Sequence, residues 1–189
     1  MRASSPLELI HSDICGPMNV KARHGATYFI TQIDDNSRYG YVYLLSHRYE
    51  ALDVFKRFIA EVETQLERRV KILRTDPGRE YLSDMFKEFC EEKGIQRQLT
   101  IPRTPQQNGV AERRNRTLLD MVRSMMEHAN LLISFWGDTL LMATCIFNRV
   151  SSKSVTATPY ELWHAERRNR TLLDMVESMM AHANLPISF

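Results

Sequence analysis

The sequence predicts an α/β fold: a five-stranded mixed sheet flanked by helices. Three observations carry it. The chain opens with three strand-like segments joined by short turns. The apolar period then switches from two to three-and-four. After that switch, strand-like and helix-like segments alternate before the chain closes on helices.

Each element has its own signal. Leu7 to Asp13 alternates and is punctuated by Cys15-Gly16-Pro17, which reads as a strand. Thr27 to Asp35 is rich in β-branched and aromatic residues and reads as a second. The turn residues Asp35-Asn36-Ser37 lead into a third, Tyr39 to Leu45. Short links between the three predict an antiparallel meander. Leu52, Phe55, Phe58, Ile59, Val62 and Leu66 then mark an amphipathic helix. Val70 to Leu73 is a short buried strand. Leu82, Met85, Phe86, Phe89 and Cys90 mark a second helix, stopped by Gly94. Ile95 to Ile101 is the fifth strand, and Pro102 to Gly109 reads as a loop. A long helix follows on Leu118, Met121, Val122, Met125 and Met126. Ser134 is placed to cap a further helix through Phe147.

Composition bounds the function. The chain has 189 residues, 43% hydrophobic and 25% charged, as expected of one folded domain. No apolar run approaches the roughly 20 residues of a membrane helix. The first residues, MRASSPLELIHSD, lack the apolar stretch of a signal peptide. Cysteines at 15, 90 and 145 are too far apart for a zinc knuckle or a disulfide framework, and a reducing compartment fits. Net charge is only +2. Its distribution is uneven, because Arg97, Arg103, Arg113, Arg114, Arg116 and Arg123 stand against Glu112 and Asp120 in one window. Arginine suits bidentate phosphate contacts; a solvated helix face is the alternative.

The chain repeats part of itself. Residues 111–135 recur at 165–189 with only three differences: Arg123 against Glu177, Glu127 against Ala181 and Leu132 against Pro186. Solenoids need three or more units to share a core, so one terminal copy reads as a recent duplication or rearrangement. Two units follow: a core at 1–163 and an extra amphipathic helix at 164–189. Glu166 copies Glu112 without duplicated aspartate partners, and is read as non-catalytic.

The candidate chemistry rests on carboxylates. Asp13 closes the first strand, Asp76 follows the short fourth strand, and Glu112 lies near the start of the long helix. Carboxylates converging from such rigid supports would bind Mg²⁺ or Mn²⁺ through oxygen. Two such ions can clamp the attacking and leaving oxygens of a phosphodiester displacement. Asp76 and Glu112 have 35 residues between them, but nine aspartates and 14 glutamates supply such spacings by chance. Asp34 and Asp35 form an alternative carboxylate cluster and read first as turn residues or a structural acid pair. His11 and His128 read as structural or surface residues, Trp136 and Trp163 as core, and the helix methionines as packing.

The flanking strings carry more weight than the spacing. HSDICGP (11–17), TQIDDNSRYGYVYLL (31–45), LRTDPGREYLS (73–83), the long string from Gly94 to Met126 containing TPQQNGVAERRNRT, SFWGDTL (134–140) and NRVSSKSVTATPYELW (148–163) resemble the integrase core of copia-type LTR retrotransposon polyproteins. The resemblance implies the RNase H-like fold. It implies a D,D-35-E triad at Asp13, Asp76 and Glu112, holding Mg²⁺ (or Mn²⁺), in two ions. The implied reaction is 3′-end processing of element DNA and strand transfer into target DNA. Gln107 and Asn108, in the loop before the catalytic helix, would contact DNA. Arg116, one turn after Glu112, would reach a phosphate near the metals; Arg113 and Arg114 would be general phosphate contacts or solvated charges. The family also implies DNA ends and target DNA as partners, a homo-oligomer, no membrane, no small-molecule cofactor, and a nuclear or virus-like-particle location. The alternative is a catalytically disabled nucleic-acid-binding remnant. Two departures motivate it: Pro77, which constrains the loop carrying Asp76, and the lack of the family's upstream zinc module and basic downstream region.

Overall fold

The computed structural model describes residues 2–100, 109–151 and 155–165. Its sheet has five strands: β1 (Leu9–Cys15), β2 (Tyr28–Asp34), β3 (Gly40–Leu45), β4 (Ile72–Thr75) and β5 (Gln96–Leu99). Their spatial order is β3-β2-β1-β4-β5. The first three form the antiparallel meander, while β4 and β5 run parallel to β1. Parallel neighbours need crossovers, and helix α1 (Ala51–Leu66) and helix α2 (Asp84–Lys93) provide them. This is the mixed five-stranded sheet the sequence predicts.

The two sheet faces bury separate cores. On one, Ile10, Ile14 and Ile30 pack with Phe55, Phe58 and Ile59 of α1 and Phe86 and Cys90 of α2. Trp163 closes this core, stacked on Tyr39 at 5.4 Å, so the helical segment 159–165 is part of the fold. On the other face, Phe29 packs with Leu118 and Val122 of helix α3 (Gly109–His128) and with Trp136 and Leu140 of helix α4 (Trp136–Asn148). Met121, Met125 and Met126 lie partly buried against this second core.

Local chemistry sets the helix ends. Ser83 caps α2 by accepting the Phe86 N–H. Gly94 closes it at φ +69°, a conformation that L side chains rarely adopt. The expected cap at Ser134 is not formed. Ser134 lies inside a 3₁₀ turn, Ile133–Phe135, and its carbonyl accepts the Arg23 N–H at 2.9 Å. The turn is thus tied to the segment before β2, and α4 starts two residues later without a side-chain cap.

Candidate functional site

The strand register assembles the centre of the site. Leu9, Ile10 and His11 of β1 pair with Ile72, Leu73 and Arg74 of β4. Asp13 and Asp76 each lie two residues beyond the last pair, on neighbouring strands running the same way. Successive residues of a strand alternate faces, so equal offsets bring both carboxylates to the same side. Asp13 sits inside β1, still paired with Thr31 of β2, because the strand runs two residues further than its sequence pattern suggests. Asp76 lies just past β4, partly exposed, and its Oδ1 accepts the Gly78 N–H at 3.3 Å.

Burial pushes the Asp13 carboxyl up to about 6, and the charge of Asp76 adds to the rise, with a smaller push from Glu112. The Ile14 N–H and the Asn115 side chain oppose it. Asn115 was not singled out by sequence reading. It is 5% exposed, and its Nδ2 donates to Asp13 Oδ2 at 2.9 Å. Its position three residues after Glu112, one helical turn on, is the signal that could have found it. Beneath Asp13, on the opposite sheet face, the hydroxyls of Ser12 and fully buried Tyr81 are 2.7 Å apart.

Glu112 is exposed in the first turn of α3. Arg113 and Arg116 are exposed on the same helix. Gln107 and Asn108 lie outside the described residues, as do Glu166 and the rest of 166–189.

Arg114 departs from expectation. It is only 8% exposed, stacks over the Phe147 ring at 4.0 Å, and donates through Nη2 to the Arg38 carbonyl at 2.7 Å. Position 114 shares the buried face of α3 with Ala111, Leu118 and Val122, so the guanidinium enters the packing beside α4. It is neither a solvated charge nor a surface phosphate contact. An arginine within an apolar stripe reads in sequence as a polar break, which hid this role.

The acid pair after β2 is structural. Asp34 accepts from the Leu7 and Ser37 N–H groups at 2.9 and 2.6 Å. Asp35 lies 2.9 Å from His11 Nε2 and 2.9 Å from the Arg38 guanidinium.

Among the described residues, no three His, Cys, Asp or Glu side chains gather closely enough to form a metal-binding group. The Asp13–Asp76 pair nonetheless fits a hard divalent cation. Both supply oxygen donors only, and a cation between them would relieve the repulsion that raises Asp13.

The order β3-β2-β1-β4-β5, with adjacent aspartates at β1 and β4 and helix α3 bonded across them, defines an RNase H-like fold. The chain belongs to the integrase core domain family, whose model matches residues 3–105. That match takes in Asp13 and Asp76 and stops before Glu112. The chain is 44% identical over 158 residues to the retrovirus-related Pol polyprotein from transposon TNT 1-94 of Nicotiana tabacum, covering 83% of this chain and 12% of that protein. It is 32% identical over 149 residues to the transposon Ty1-NL2 Gag-Pol polyprotein of Saccharomyces cerevisiae, covering 78% of this chain and 8% of that one. It therefore spans a small part of these relatives. Among solved structures, the simian T-cell lymphotropic virus intasome in complex with PP2A regulatory subunit B56 gamma matches with a TM-score of 0.70 at 22% identity, over 87% of this chain and 56% of that one. The HTLV-2 integrase catalytic core domain in complex with magnesium (trimeric form) matches with a TM-score of 0.64 at 18% identity, over 86% of this chain and all of that one. These structures share the fold.

Proposed function

We propose that the chain is a retrotransposon integrase core that processes DNA 3′ ends and transfers strands with Asp13, Asp76 and Glu112 as its catalytic, metal-holding residues. One observation carries the reading. The Asn115–Asp13 hydrogen bond ties the first turn and a half of α3, with Glu112, to the strand whose register sets Asp13 beside Asp76. Bound Mg²⁺ or Mn²⁺, in two ions, would supply Lewis-acid activation of a phosphodiester. The chain's own residues do the rest. Asn115 fixes the orientation of the Asp13 carboxylate. Exposed Arg113 and Arg116 offer guanidinium groups to phosphates near Glu112. Gln107 and Asn108 belong to the same proposal as DNA contacts, on the resemblance of their loop.

DNA ends and target DNA are the proposed partners, and a homo-oligomer is the proposed working state. Residues 1–163 form the proposed core, with 164–189 as an appended copy of its catalytic helix. A location in the nucleus or a cytoplasmic virus-like particle follows from the role.

A second reading, a disabled nucleic-acid-binding remnant, is favoured by the bond from Gly78 N–H to Asp76 Oδ1, which draws the carboxylate into its own Pro77 turn. A disintegration assay separates the two. It uses a branched Y-shaped DNA with Mn²⁺ and compares the chain with Glu112→Gln. Cleavage lost in the variant supports the catalytic reading. No cleavage by either folded protein, with salt-dependent DNA binding retained, favours the remnant.

A further inference from the structure

The largest cavity among the described residues lies away from the carboxylates. It has a volume of about 700 Å³ and sits between the β2–β3 turn, α3, the end of α4 and the segment 155–162. That is the size range of small-molecule sites. Its cationic side is formed by Arg2, Arg38 and Arg114, and its apolar walls include Met121, Phe147 and Leu162.

Arg114 is the unusual member. A guanidinium carries five N–H donors and no acceptor. Here one donor group meets the Arg38 carbonyl and the plane lies on Phe147. Nη1 is buried with no hydrogen-bond partner among the described residues. No carboxylate of the described residues forms an ion pair with Arg114, and the charge of neighbouring Arg38 is met by Asp35. A buried charge left in this state is costly, and an anion reaching it would form charge-assisted hydrogen bonds. Adjacent residues of α3 thus face different tasks. Asn115 turns to Asp13, while Arg114 turns to Phe147 and the cavity.

We infer that this cavity is a binding site for a small organic carboxylate with an apolar body, its carboxylate held by Arg114 and its body against Phe147, Met121 and Leu162. The planar guanidinium matches a carboxylate in a two-bond fork. Apolar walls disfavour a bare phosphate, whose full hydration would be lost against them. The site is independent of the proposed catalytic reading, since it uses none of the three carboxylates.

Isothermal titration calorimetry on the full chain tests this with three probes: 4-phenylbutyrate, its neutral analogue 4-phenyl-1-butanol, and inorganic phosphate. Saturable binding of phenylbutyrate at one site is expected, at least tenfold tighter than either other probe. Arg114→Met should bring the carboxylate down to the level of the alcohol. Because that substitution disturbs packing on Phe147, Ala157→Phe provides a second test. It fills the cavity from another wall and leaves Arg114 in place, so binding should vanish while circular dichroism is unchanged. Equal binding of the alcohol, equal binding of phosphate, no binding of phenylbutyrate, or binding that survives a folded Ala157→Phe variant would each overturn the assignment.

Discussion

Asn115 Nδ2 donates to Asp13 Oδ2 at 2.9 Å, joining residues 102 positions apart in sequence. The bond pins α3 across the middle strand of the sheet. It also leaves Asn115 Oδ1 buried without a partner among the described residues, so the amide's orientation is set by Asp13 alone.

Under the proposed function, Asn115→Ala should leave the fold intact and lower cleavage by about ten- to a hundredfold, the usual cost of losing a group that orients a metal-binding carboxylate. Initial rates in the Y-shaped DNA assay measure it, alongside circular dichroism. An unchanged rate would remove Asn115 from the machinery.

Acid should weaken the fold through Asp35. Burial alone would raise this carboxyl, but the His11 hydrogen bond, the Ala3 N–H and the Arg38 charge bring it down to about 2, from an ordinary 3.8. A depressed folded-state value means the stabilisation is present above 3.8 and fades as pH falls toward 2. Urea midpoints of the chain and Asp35→Asn should differ clearly at pH 6 and converge near pH 2. A gap that stays constant across that range would contradict the assignment.

Gln32 offers a stabilising change. Its side chain is wholly buried, and neither Nε2 nor Oε1 finds a partner among the described residues. An orphaned amide costs roughly 1–3 kcal/mol, so Gln32→Met, similar in length, should raise stability by about 1 kcal/mol. Chemical denaturation reads this directly, and a loss of stability would mean that the amide is satisfied in solution.

Trp163 should be a pillar of the first core. It is 1% exposed and rests on Tyr39. Trp163→Ala is expected to cost about 3–5 kcal/mol. A thermal midpoint close to that of the parent would show that segment 155–165 contributes little to the fold.

Much of this protein was legible before any coordinates. Hydrophobic periodicity located all five strands and the helices, because sheet and helix burial impose different repeats on the chain. Boundaries were less secure. Strand β1 runs on to Cys15, since its pairing with β2 extends past the point where alternation fades. Ser134 has the chemistry of a cap, but its carbonyl is engaged by Arg23, a contact remote in sequence.

The sequence by itself determined the family, through local strings, and nominated Asp13, Asp76 and Glu112, whose residue types announce oxygen-ligand chemistry. Tertiary structure alone decided which groups meet. Parallel register set Asp13 beside Asp76, and helix α3 split its neighbouring residues, sending Asn115 to a carboxylate and Arg114 into an aromatic cavity. The physical reason is that residue type is local, whereas burial and pairing depend on strands and helices far apart in the chain. One step around a helix turns a side chain by about 100°, enough to separate a polar site from a packed core.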